Sequence, residues 1–152
     1  MEKQQKRNIG FAAILLLSIA IGSCSKDLDA PEPTPLTTGT LSTSKSEVVI
    51  DMTHPSDEAV KFTWSAEKNT LVAYKIIFTA GSKTDSVDVA ANTVDKGFSN
   101  TELNDILVDN LDLEIDKPAT VSVQVHAKVT INDKEASSNV VTISATPAMK
   151  EG

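Results

Sequence analysis

A single cysteine, Cys24, in 152 residues leaves no partner for a disulfide and no thiolate set for a structural zinc site. Any fold must therefore rest on apolar burial. Aromatic residues make up only 4% of the chain: Phe11, Phe62, Trp64, Tyr74, Phe78 and Phe98. A stacking platform for sugars or bases would have to be drawn from these six. Cations are in deficit, 14 Lys and Arg against 21 Asp and Glu, for a net charge of −7. Such a surface repels nucleic acid and anionic lipid, so neither is expected as a partner. Of the two histidines, His54 precedes a proline in a turn and His126 lies on the polar side of a strand pattern. Neither has a second histidine, a cysteine or a serine-triad partner at a recognisable interval, so both read as surface polar groups. No Gly-rich phosphate loop and no metal-spaced Cys/His set occurs. No catalytic residue, metal or cofactor is therefore assigned.

The apolar run is short as well. Ile9 to Ile21 is 13 residues without a charge, preceded by Lys3, Lys6 and Arg7. As a helix it reaches roughly 20 Å, against a bilayer core of about 30 Å. A basic head, an apolar run and small residues ahead of a cut describe a secretory signal. The end of the run, Ile21-Gly22-Ser23-Cys24, resembles a bacterial lipobox, in which the cysteine thiol accepts a diacylglyceryl group and the chain is cut before it. Gly22 and Ser23 suit a narrow protease groove. A signal peptide with an incidental cysteine, or an uncleaved anchor, is the alternative. Lipidated at Cys24, the chain would be held to the outer membrane by its acyl chains. Loss of residues 1–23 removes three cations and Glu2, taking the net charge from −7 to −9.

Ser25-Lys26-Asp27-Leu28-Asp29 looks like the surface-export signal of Bacteroidota lipoproteins, with its acidic pair split by Leu28. The expected location is the outer membrane, facing outward. Pro31, Pro33 and Pro35 then alternate among threonines, which favours an extended polyproline-like strut. Residues 24–41 are read as the lipidated cysteine and its tether, and 148–152 as a C-terminal tail.

Residues 42–147 alternate as strands do. Ser46–Met52 is expected as a first strand and His54-Pro55-Ser56-Asp57 as a turn. Val60, Phe62 and Trp64 share one face, as do Val72, Tyr74, Ile76 and Phe78 within Leu71–Ala80. The four aromatics Phe62, Trp64, Tyr74 and Phe78 are thus read as core. Gly81-Ser82 turns the chain into Asp85–Ala90. Val121, Val123, Val125, Ala127, Val129 and Ile131 alternate without a break, and Asn132-Asp133 marks a hairpin turn. Val141, Ile143 and Ala145 point inward on the last strand. A helix is expected over Asn100–Leu111, opened by a capping box of Ser99 and Glu102. Leu103, Ile106, Leu107 and Leu111 would share its apolar face, with Asn104, Asp105 and Asp109 in water. Phe98, beside Gly97, is expected to staple the helix onto the sheet. Together these describe an all-β fold: an antiparallel sandwich, immunoglobulin-like or fibronectin-III-like, with one short connecting helix.

Phe62-Thr63-Trp64-Ser65, Ala73-Tyr74-Lys75-Ile76, Thr101-Glu102-Leu103-Asn104 and Ser138-Asn139-Val140-Val141-Thr142-Ile143 follow in this order. With the lipobox, they resemble the N-terminal domain of SusE-type outer-membrane lipoproteins, accessories of the starch-utilisation systems of Bacteroidota. Where that family often carries an aromatic or an arginine, this chain has Gln124 and His126. The resemblance implies glycan-uptake company, with an outer-membrane glycan transporter or sister lipoproteins as partners. It does not bring glycan-binding residues, because in the family those lie in further sandwich domains, and this sequence ends at Gly152.

Asp109, Asp112, Glu114 and Asp116 are the densest acidic run, but without the glycine turn and spacing of a calcium loop they read as a solvated connection. Carboxylate pairs are plentiful, yet nothing signals a cleft that would hold a sugar between two of them. Asp85-Ser86-Val87 matches a three-residue O-glycosylation pattern of Bacteroidota secreted proteins. The expected function is a lipid-anchored, non-enzymatic spacer or protein-interaction module beside glycan-uptake machinery. The alternatives are a small glycan-binding lipoprotein, or an adhesin or inhibitor unrelated to sugars.

Overall fold

The computed structural model describes residues 39–65, 72–130 and 133–150. Among these described residues, nine strands form two sheets: β1 (Ser42–Thr43), β2 (Glu47–Val49), β3 (Glu58–Thr63), β4 (Val72–Ala80), β5 (Lys83–Val89), β6 (Asp95–Ser99), β7 (Ala119–Val129), β8 (Glu135–Ser137) and β9 (Val141–Thr146). The smaller sheet has the order β1-β3-β6, and the larger β2-β9-β7-β4-β5, with β8 also paired to β7. The result is an all-β sandwich. One pairing departs from the antiparallel pattern, because β2 runs parallel to β9.

Alternation carries the two long strands. Val72, Tyr74, Ile76, Phe78 and Ala80 are buried on β4, while Val121, Val123, Val125, Ala127 and Val129 are buried on β7. β4 and β7 pair in continuous register from Val72 opposite Val129 to Thr79 opposite Ser122, so the two apolar rows lie side by side. The smaller sheet supplies the facing layer through Val60, Phe62 and Phe98. Phe62, Phe78 and Phe98 meet edge to face, with centroids 5.3 to 6.0 Å apart, at the centre of the core. Phe98 thus joins the rings that bridge the sheets.

Three strands carried no readable signal. β1 and β8 are two and three residues long, and β6 (DKGFS) lacks alternation. The first expected strand shrinks to Glu47–Val49, because after Ile50 the chain enters the turn at 51–57. β7 ends at Val129, and Ile131 and Asn132 lie outside the described residues. Leu41, one residue ahead of β1, is buried, and the Asn139 side chain brackets its backbone, accepting from its N–H at 2.8 Å and donating to its carbonyl at 3.1 Å.

The helix begins as expected. Ser99 Oγ accepts from the Glu102 N–H, and Glu102 accepts from the Ser99 N–H. Only Asn100–Asp105 is α-helical, here α1; Ile106–Asn110 widens into a π-helical turn, closed by Leu111 N–H to Ile106 O at 2.9 Å. The wider turn still buries Leu103, Ile106, Leu107 and Leu111. Asn104, expected in water, is fully buried. Its side chain donates to Ala148 O at 2.8 Å and accepts from Ala148 N–H at 3.0 Å. A primary amide matches a peptide group donor for acceptor, so Asn104 stands in for a strand neighbour. Asn100 plays a similar part at the other end of α1. Its Oδ1 accepts from Asp51 N–H and its Nδ2 donates to His54 O, which ties the turn at 51–57 to the helix start.

Candidate functional site

The four aromatics assigned to the core are there: Phe62, Trp64, Tyr74 and Phe78 are at most 3% exposed, and Phe98 is buried with them. No aromatic ring among the described residues faces solvent. The lipobox residues Ile21, Gly22, Ser23 and Cys24 lie outside the described residues, as does Phe11.

The outer face of the larger sheet is polar, since every second residue of β4, β5 and β7 faces away from the core. Strand register, which spacing along the chain cannot reveal, gathers charges there. Asp88, Lys75, His126 and Ser137 fall on one rung across β5, β4, β7 and β8. Ala73, Lys128 and Glu135 fall on the next. Ala73 is short among long neighbours, and a hollow of about 370 Å³ lies over it, lined by Tyr74, Lys75, Asp88, His126, Lys128 and Glu135. Its ion pairs are long: Lys75 to Asp88 at 3.7 Å, His126 to Glu135 at 3.5 Å and Lys128 to Glu135 at 3.9 Å.

A serine, a histidine and a glutamate come together beside the hollow. His126 Nδ1 lies 3.1 Å from Ser137 Oγ, and its Nε2 lies 3.5 Å from Glu135. The second distance exceeds a charge-assisted hydrogen bond, so Glu135 does not orient the ring as a triad carboxylate must. The N–H after the serine, where acyl transfer would place an oxyanion donor, is donated by Ser138 to Val125 O at 2.9 Å. The arrangement is a charged, hydrogen-bonding surface rather than a nucleophilic centre.

His54 sits elsewhere. In the turn at 51–57 its Nδ1 is 2.8 Å from Asp51 Oδ2 and 3.0 Å from Thr53 Oγ1. The Thr53 hydroxyl, His54 and the Thr53 N–H hold the Asp51 carboxyl down from 3.8 to about 2, and Asp51 in turn raises the imidazole above its ordinary 6.5. A raised histidine contributes stability that is whole below its unfolded value and fades as pH rises through the folded one. The lowered Asp51 contributes above 3.8 and is lost as pH falls toward 2. The turn is therefore firmest between these limits. In thermal melts, the stability lost in His54→Gln should be larger near pH 5 than near pH 8.5. An equal loss at both would show that the ion pair is not formed.

The acidic run divides between partners. Asp109 and Asp105 both reach Lys150, whose ammonium is raised by these bonds, and Glu114 pairs with Lys117. Asp112 and Asp116 take positive φ of 59° and 62° at the bends of the loop, a conformation that aspartate adopts more readily than most residues. Among the described residues, no three His, Cys, Asp or Glu side chains gather as metal ligands, and no helix is long and apolar enough to cross a membrane.

No curated protein and no solved structure matches the chain. The family description "SusE outer membrane protein" matches residues 26–126, a segment that runs from just behind Cys24 to His126 and takes in β1 to β6, α1 and most of β7. That span exceeds half of the chain, and the chain belongs to the SusE family of outer membrane proteins.

Proposed function

We propose that the protein is a lipid-anchored accessory of a glycan-uptake system, exposed on the outer membrane, which serves as a spacer and protein-contact module rather than as an enzyme or a sugar receptor. Cys24 accepts the lipid, and the proline-rich residues ahead of the sandwich, 30–38, hold it away from the bilayer. An outer-membrane glycan transporter or a sister lipoprotein is the partner this reading calls for, and family membership supports that company.

One observation carries the choice between spacer and receptor. All five described aromatics are buried, leaving outer faces that are mainly Thr, Ser, Lys, Asp and Gln. Such side chains offer hydrogen bonds, for which water competes well, but no flat ring for a pyranose to stack on. Calorimetry of the purified protein with starch oligosaccharides and a panel of other glycans is expected to show no binding. Micromolar affinity for one defined oligosaccharide, abolished by replacing a single aromatic, would make the protein a sugar receptor instead.

A further inference from the structure

We propose that the free edge of β5 receives an extended segment of another protein, one that sets a basic residue beside Asp88 and apolar residues beside Val87 and Val89. The proposal rests on the protein-contact reading above and names the surface and the kind of partner.

An edge strand presents a row of unpaired N–H and C=O groups, and folded proteins usually blunt it by shortness, bulges, proline or charge. The edges of this sandwich differ in that respect. β1 has two residues and β2 three, too few for a ladder. β6 has five, but its pairing with β3 shifts register, and the Glu58 side chain lies over Gly97. β5 has seven, contains no proline, and pairs with β4 in unbroken register from Lys83 to Val89. Among the described residues its other side pairs with no strand. Asp85 is tied to Asn110 at 2.9 Å near the π-turn, so the open part runs from Ser86 to Val89.

The side chains there choose an occupant. Val87 and Val89 are half-buried against the core, and apolar residues on an added strand would extend that core by one row. On the other face, the rung Ser137, His126, Lys75, Asp88 ends at the edge on a carboxylate. Asp88 is 89% exposed at its side chain, and Lys75 stands 3.7 Å away on the inner side only. A Lys or Arg on the next strand would face Asp88 from the edge as Lys75 does from within the sheet, and directly opposed opposite charges stabilise a sheet pair. A second copy does not fit. Two β5 strands paired antiparallel about Ser86 would set Thr84 opposite Asp88, with no cation on that face of the strand. Each copy also carries a net negative charge, −7 over the full sequence. Strand addition to an exposed edge is a known recognition mode in which backbone bonds give affinity and alternate side chains give specificity.

The test uses the lipidated protein, ¹⁵N-labelled in detergent micelles, and two seven-residue peptides alternating valine with threonine. One carries lysine at its centre and the other glutamate. The lysine peptide is expected to protect alternate amides of 86–89 from deuterium exchange and to bind several-fold more tightly than the glutamate peptide. Asp88→Lys, at a well-exposed position, should reverse the preference. Equal binding of both peptides, shifts confined to other strands, or no change at about millimolar peptide would overturn the proposal. So would concentration-dependent protection of β5 without peptide, which would make a second copy the occupant. These outcomes leave the spacer reading standing, because that reading is tested by the glycan titration and by acyl labelling at Cys24.

Discussion

Replacing Phe78 by alanine is expected to lower the unfolding free energy by about 3–5 kcal/mol, the usual cost of emptying a buried phenylalanine site. Phe78 is wholly buried on β4, with Phe98 5.3 Å away at 86° and Phe62 5.9 Å away at 75°. It is the member of the trio that comes from the larger sheet, so its removal opens the space between the layers. Each edge-to-face pair adds about 0.5–1.5 kcal/mol beyond area burial, and this variant loses two of them. A domain of this size has about 5–15 kcal/mol in hand, so a large share of its stability goes with one ring. Urea titration should show a lowered midpoint with an unchanged slope. Val49→Ala, at a side chain 64% exposed on β2, is the control and should stay within about 0.5 kcal/mol. A Phe78→Ala loss no larger than the control's would mean that the two sheets do not share this core.

The second large effect concerns attachment. If Cys24 carries the lipid, Cys24→Ala abolishes the only thiol in the chain and with it every acyl label. The acyl chains of a lipoprotein contribute about 0.8 kcal/mol per buried methylene, and nothing among the described residues replaces them, since no helix there is long and apolar enough to span. The variant should leave the outer-membrane fraction and appear in the inner membrane or as soluble protein. Labelling with a radioactive or clickable fatty acid, followed by fractionation, reads both outcomes in one experiment. Unchanged labelling and fractionation of the variant would remove the anchor from the account. The sandwich itself should be unaffected, because Cys24 lies well ahead of Leu41, the first buried residue described. The tryptophan emission of variant and parent should then be the same, as Trp64 is only 2% exposed.

Much of this protein follows from its sequence alone. The alternation of Val72, Tyr74, Ile76 and Phe78, and of Val121 through Val129, determined two strands, their buried faces and the inward direction of the aromatics. Period-two burial is a local property of the chain. The capping box of Ser99 and Glu102 is equally local, spanning three residues. Asn104 was beyond such reading: polar and inside a helix, it belonged in water by every local rule. It is buried only because the chain returns from β9 to place Ala148 beside it, 44 residues on. The short strands β1, β6 and β8 exist because longer neighbours offer them ladders, not because their own residues prefer extension. The hollow over Ala73 and the rung that ends on Asp88 depend on register between strands distant in sequence. No spacing along the chain encodes which lysine stands opposite which carboxylate. Burial and capping were thus settled by the sequence, and the meeting of charges was decided by tertiary structure, because electrostatic contact depends on distance in space and hydrophobic alternation on order along the chain.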